Sequence, residues 1–248
     1  MNYYQFGNGK KAFVMLPGLA LKSVLLLTKQ IEEAYSMFKD DYTVYVFDRR
    51  ENITDSYSIY NMAEDTALVM KKLGLKDICI FGVSQGGMLG QIIAINHPEL
   101  VSKLFLGSSA SRINNPEVLD NWVYLAREHK KDELVENMLE HIYSQDTLNA
   151  YKNIFVDSFK DVSKQELDRF AILAGTMQGY DIYDQLDKIK CEVKVVGAYG
   201  DKALGYQASL EIKDKLNCEY YMYPENCGHA VYDEAPDYKD RIKEFFDK

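Results

Sequence analysis

Residues 78–96 constrain the fold of this chain more than any other stretch. Ile78-Cys79-Ile80-Phe81 is a short run with apolar residues on both faces, and a mostly apolar segment follows it from Gln85 to Asn96, closed by Pro98. A strand that is apolar on both faces must be covered on both sides, which points to a parallel sheet between helices. The neighbouring segments repeat the theme. Lys11 to Leu16, Tyr42 to Phe47, Val101 to Leu106, Cys191 to Val196 and Glu219 to Tyr223 read as strands. Ser58 is placed to cap a helix carrying Ile59, Met62, Val69 and Leu73, with Gly74 as its stop. Further helices are expected over about Lys22 to Phe38, Tyr206 to Leu216 and around Tyr238, Ile242, Phe245 and Phe246. At the start, Asn2 to Phe6 and Lys11 to Leu16 flank Gly7-Asn8-Gly9, and the Asn-Gly pair predicts a tight hairpin between them.

From about Ile113 to Lys188 strand-like runs give way to helical periodicity. No Pro/Gly-rich linker bounds this stretch, so it reads as a helical insertion in one domain. The expected organisation is a single domain over residues 1–248, with a core from 1–112 and 189–248 and the insertion over about 113–188. A chain of 248 residues is long enough for one such domain.

Inside the constraining stretch lies Gly82-Val83-Ser84-Gln85-Gly86. A Gly-x-Ser-x-Gly triplet arises by chance in roughly one chain in ten of this length at ordinary glycine and serine usage. Its setting carries the weight, because an apolar strand enters it and an apolar helix leaves it. That geometry projects a serine hydroxyl above the sheet edge, with glycines where neighbouring side chains would collide. The positive end of the following helix points towards the same place.

A serine hydroxyl needs a base to attack a carbonyl. Of the four histidines, His97 ends a helix before Pro98, and His129 and His141 lie in charged helical surroundings. His229 instead follows the last strand, in Glu225-Asn226-Cys227-Gly228-His229-Ala230, where Gly228 permits a tight turn. Asp201 is the first carboxylate after the preceding strand, in Gly200-Asp201-Lys202-Ala203, and is placed to orient the imidazole. Glu225 and Asp233 are rival acids, but each is only four residues from His229. After Val101–Leu106 no acid occurs until Glu117.

Together these features resemble the α/β-hydrolase fold family, in its sub-group of small, lidded serine hydrolases and esterases. The resemblance spans nearly the whole chain and is weakest over the insertion. It implies an α/β fold with a mostly parallel central sheet flanked by helices and a helical cap inserted after the sixth strand. The order Ser84, Asp201, His229 is the family's order of nucleophile, acid and base. The family's oxyanion loop corresponds to Met15-Leu16-Pro17-Gly18-Leu19-Ala20, which makes the backbone N–H groups of Leu19 and Gln85 the expected donors. Two departures stand out: Pro17 where a histidine usually precedes the glycine, and Asp48-Arg49-Arg50 with arginine where glycine is frequent.

The implied activity is hydrolysis of a small carboxylic ester or related acyl compound, with thioesters, amides, lactones and carbon–carbon bonds as alternative targets. A non-catalytic ligand-binding protein of the same fold is the rival from another class. Epoxide hydrolases and dehalogenases share the fold but attack with aspartate. No cofactor and no metal is expected, and the partner is a small acyl substrate. The apolar side chains Trp122, Phe155, Phe159, Phe170, Met177 and Tyr180 of the insertion are placed either to line an acyl pocket or to fill the core.

The formal net charge of −9 opposes general affinity for nucleic acid or anionic membranes. Met1 to Gln5 has no basic, then apolar, signal-peptide pattern, and no apolar run approaches the roughly 18 residues of a membrane span. A cytoplasmic location is therefore expected. Cys79, Cys191, Cys218 and Cys227 form no C-x-x-C pair, and reduced structural thiols are expected.

Overall fold

The computed structural model describes all 248 residues. Seven strands form one sheet in the order β1-β3-β2-β4-β5-β6-β7. They are β1 (Tyr3–Phe6), β2 (Lys11–Leu16), β3 (Tyr42–Phe47), β4 (Ile78–Val83), β5 (Val101–Gly107), β6 (Glu192–Ala198) and β7 (Glu219–Tyr223). All pairings are parallel except that of β1 with β3.

The sheet separates two apolar layers by the period-two rule of strands. Val14, Leu16, Ile78, Ile80, Leu104, Leu106, Val193 and Val195 join a cluster of 48 buried residues on one face. Phe13, Met15, Cys79, Phe81, Val83, Phe105 and Val196 join a cluster of 21 on the other. Helices α2 (Ile59–Lys72), α3 (Gln85–Asn96) and α8 (Tyr206–Leu216) supply the first cluster. The aromatic face of α10 (Tyr238–Asp247) supplies the second, with Phe246 edge-on to Phe13 at 5.1 Å between ring centroids. The cap of α2 is a reciprocal box in which Ser58 and Asn61 each satisfy the other's backbone N–H.

Between β5 and β6 the chain forms α4 (Glu117–Arg127), α5 (Lys131–Ile142), α6 (Gln145–Ser158) and α7 (Lys164–Gly175), then a 3₁₀ segment at Tyr183–Lys188. Leu119, Trp122, Leu134, Met138, Phe170 and Leu173 of these helices belong to the 48-residue cluster that also covers the sheet. The remaining helices are α1 (Thr28–Ala34) and α9 (Val231–Glu234).

Four expectations are corrected. The hairpin between the first two strands does not form, because β3 lies between them and pairs with both. Gly9 packs against the backbone of Asp41 and Tyr42, too closely for any Cβ, and Asn8 N–H donates to Lys39 O at 3.0 Å. The helical insertion follows the fifth strand, not the sixth that the resemblance implied, since only β1 to β5 precede it in the chain. That stretch is also not one helix over Lys22–Phe38 but α1 between two short 3₁₀ turns at Val24–Leu27 and Ser36–Phe38. Cys191 lies one residue before β6 and is half-buried, whereas Cys79 is fully inside. No helix is long and apolar enough to cross a membrane.

Candidate active site

β4, the central strand, delivers the chain to Ser84 and α3 carries it away, so Ser84 sits just beyond the C-terminal end of β4 in a backbone conformation of φ 53° and ψ −121°. A non-glycine residue seldom adopts such angles, and where it does the surroundings hold it there. The holding is visible. A Cβ on Gly86 would lie 1.9 Å from the carbonyl oxygen of Leu16, and one on Gly82 would lie 2.6 Å from that of Gly86. Both contacts are impossible for a real side chain, so the turn closes only with glycine at these two places. Ser84 N–H donates to Gly107 O at 2.9 Å, and Ser109 Oγ donates to Ser84 O at 2.8 Å, which tie the turn to the end of β5.

The other two expected side chains come from loops at the same end of the sheet. Asp201 follows β6 and His229 follows β7. Their bond is His229 Nδ1 to Asp201 Oδ2 at 2.8 Å, with both side chains almost entirely removed from solvent. The other carboxylate oxygen of Asp201 accepts from the N–H groups of Ala203 at 2.9 Å and Leu204 at 3.0 Å. Asp201 is thus fixed from both sides. Of the rivals, Asp233 accepts a bond from Tyr143, and Glu225 is exposed.

Ser84 and His229 line one cavity, together with Gly18 and Leu19 of the loop after β2. Gln85 is the first residue of α3, and its N–H has no acceptor within the helix. Leu19 and Gln85, whose N–H groups are the expected oxyanion donors, thus lie in the loop that lines the cavity and in the residue that follows Ser84. Gly18 approaches so closely that an added Cβ would lie 3.3 Å from Ser84 Cβ. His97, His129 and His141 are engaged elsewhere, with Glu64, Asp168 and the Asn137 carbonyl respectively. Of the six apolar side chains singled out in the insertion, only Trp122 and Met177 line the cavity. Phe170 and Tyr180 fill the core, and Phe155 stacks on Tyr143 at 4.5 Å.

Gly228 plays a different part from the one expected. Its φ is not positive, and the turn does not require glycine for its backbone angles. It is small because the insertion presses on it: a Cβ there would lie 2.7 Å from Ile142 O and 2.8 Å from Ser144 N.

Two supports of the site carry no signature in the sequence. Glu234 accepts from Ser144 N–H at 2.7 Å and from Gly228 N–H at 2.5 Å, clasping the α5–α6 corner against the histidine loop. Ala230 N–H adds a bond to Ile142 O at 2.8 Å. The second support is Arg49. It is buried, and burial pulls its pKa down to about 10, which leaves it charged at neutral pH. Its guanidinium donates to Pro17 O and to Gln85 Oε1, while Gln85 Nε2 donates to Leu173 O at 2.8 Å in α7. The loop after β2, the elbow and the insertion therefore share one buried polar chain. Arg49 thus holds the carbonyl of Pro17, one of the two departures, while Arg50 of the other lies exposed, 3.6 Å from Asp65.

A family model described as the alpha/beta hydrolase fold matches residues 11–236 of the chain. The sequence is 21% identical over 247 residues to 3-oxoadipate enol-lactonase 2 of Acinetobacter baylyi, covering 93% of this chain and 91% of that protein. Among solved structures, an alpha/beta hydrolase from a deep-sea metagenome library superimposes with a TM-score of 0.89 at 19% identity, over 100% of this chain and 94% of that one. The enol-lactonase of Burkholderia xenovorans gives 0.85 at 18% identity, over 100% and 96%. An esterase of Exiguobacterium antarcticum gives 0.82 at 17%, over 99% and 95%.

Proposed function

The chain belongs to the alpha/beta hydrolase family, and from that premise we propose that it is a serine hydrolase cleaving a small carboxylic ester through an acyl-enzyme on Ser84. The observation that carries this reading is the buried 2.8 Å bond between His229 Nδ1 and Asp201 Oδ2, made by a histidine that shares a cavity with the strained Ser84. A carboxylate on Nδ1 keeps that nitrogen protonated and leaves Nε2 as the base.

Ser84 Oγ attacks the ester carbonyl carbon and gives its proton to His229 Nε2. The carbonyl oxygen becomes an oxyanion that accepts from the N–H groups of Leu19 and Gln85 at the head of α3. The intermediate collapses, the alcohol departs with the proton held by His229, and the acyl group stays on Ser84. Water then attacks, passing its proton to His229, and the carboxylic acid leaves as Ser84 Oγ recovers that proton. Asp201 stabilises the imidazolium in both halves.

A fluorophosphonate probe tests this directly. It is expected to label wild-type protein at Ser84 stoichiometrically and to leave Ser84→Ala unlabelled. Against p-nitrophenyl acetate the variant is expected to retain less than about a thousandth of wild-type kcat, the residue of catalysis left to the oxyanion donors. A tenth of the wild-type rate in Ser84→Ala defeats the assignment. Absence of labelling in the wild type favours a ligand-binding protein of the same fold.

A further inference from the structure

The cavity over Ser84 is small, with a volume of about 50 Å³. A dry apolar cavity of about 150 Å³ accommodates a benzene ring, so a third of that volume takes only about two or three non-hydrogen atoms. Leu19, Ile113, Val118, Trp122, Met177 and Leu204 form its walls. Trp122 is the most substantial of these and is not free to swing aside. Its indole N–H donates to Asn137 Oδ1 at 3.0 Å, its ring stands edge-on to His141, and it is 6% exposed.

Charge is the cavity's second property. No lysine, arginine, aspartate or glutamate lines it, and its polar side chains are Ser84, His229, Tyr232 and the exposed Asn115. Arg49, the buried cation nearby in the hydrogen-bond chain, is occupied by the Gln85 amide and the Pro17 carbonyl. A carboxylate entering here would lose its hydration without a cation to replace it.

The acyl group remains bonded to Ser84 after the alcohol has left, so the room beside Ser84 is what must hold it. We infer that this site takes esters of short, uncharged acyl groups, acetyl to butyryl in size, with Trp122 as the stop, and turns away acyl groups ending in a carboxylate. The inference rests on Ser84 being the acylated residue.

Four esters with one leaving group test it: p-nitrophenyl acetate, butyrate, octanoate and hydrogen succinate. Acetate is expected to exceed octanoate in kcat/KM by at least ~100-fold, since chain that does not fit must displace packed side chains. Butyrate is expected to exceed hydrogen succinate, of the same carbon count, by at least ~10-fold. Octanoate at parity with acetate overturns the size limit, and hydrogen succinate within about twofold of butyrate overturns the charge rule. Trp122→Ala is expected to raise the octanoate-to-acetate ratio by ~10-fold or more, with Trp122→Phe between it and the wild type. An unchanged ratio in a folded variant removes Trp122 from the role. If wild-type protein turns over none of the four and the fluorophosphonate leaves Ser84 unlabelled, the serine hydrolase reading fails, and this inference with it.

Discussion

Asp201 divides its carboxylate between two tasks. Oδ1 closes a turn on the N–H groups of Ala203 and Leu204, and Oδ2 faces the imidazole. An asparagine there can keep the turn by leaving its carbonyl oxygen on the two N–H groups. Its amide nitrogen then points at His229 Nδ1, and a donor facing that nitrogen forces the proton onto Nε2, where the base should be free. Asp201→Asn is therefore expected to lower kcat by about 10⁴-fold while its melting temperature stays near that of wild type. Steady-state turnover of an activated ester, read beside a thermal melt, checks this. Near-native turnover in Asp201→Asn, with loss in Asp233→Asn or Glu225→Gln, would transfer the role to one of those acids. The elbow obeys the same residue-scale logic. Gly82 is required by the backbone of Gly86 within the elbow itself, a local constraint legible in the sequence, whereas Gly86 is required by the carbonyls of Leu16 and Pro17, which only the folded sheet brings there.

At the scale of elements, the histidine loop is held by a partner 90 residues away: Ser144 at the α5–α6 corner, bridged through Glu234. We expect Glu234→Gln to disturb this clasp, since an amide offers one acceptor where the carboxylate offers two, and its NH₂ confronts a backbone donor. A displacement of about 1 Å in a catalytic group costs on the order of 100-fold, and a looser loop should cost a part of that. The expected outcome is a fall in kcat of about tenfold with KM little changed, measured well below the melting temperature. An unaffected kcat accompanied only by a lower melting temperature would make Glu234 structural and nothing more. Glu234→Asp, which keeps both oxygens on a shorter arm, is expected to recover part of the rate. Such contacts explain what the sequence could and could not disclose. Strands, the elbow and the candidate residues Ser84, Asp201 and His229 follow from short-range patterns: apolar runs, glycine spacing, the first acid after a strand. The pairing of β1 with β3, the clasp of Glu234 and the burial of Arg49 depend on segments distant in the chain, and no local pattern encodes them. Gly7-Asn8-Gly9 has the composition of a hairpin turn, yet the sheet prefers β3 between β1 and β2.

Across the whole molecule, the insertion and the sheet share one apolar interior. Leu119, Trp122 and Phe170 from the inserted helices belong to the same 48-residue cluster as Val14, Ile80 and Leu104 of the sheet. Gln85 adds a buried hydrogen bond from the elbow to Leu173 of α7. Excising residues 113–188 would strip that shared core, so the insertion is better probed in place. We propose that the chain is one cooperative unit in spite of its helical insertion, and its tryptophan content makes the idea testable. The single tryptophan is Trp122 of α4, so fluorescence excited where tyrosine does not absorb reports on the insertion alone. Far-UV circular dichroism reports on every helix and strand. Coincident transitions by two probes mark all-or-none unfolding. In a urea titration at equilibrium the two curves are expected to share one midpoint and one slope. A fluorescence transition at clearly lower urea, ahead of the loss of secondary structure, would mean that the helices over Ser84 melt first, as a lid with a stability of its own. Wild-type protein suffices, and adding fluorophosphonate sharpens the result. Covalent occupation of Ser84 should move both curves together if the unit is single, and only the fluorescence curve if the lid is separate.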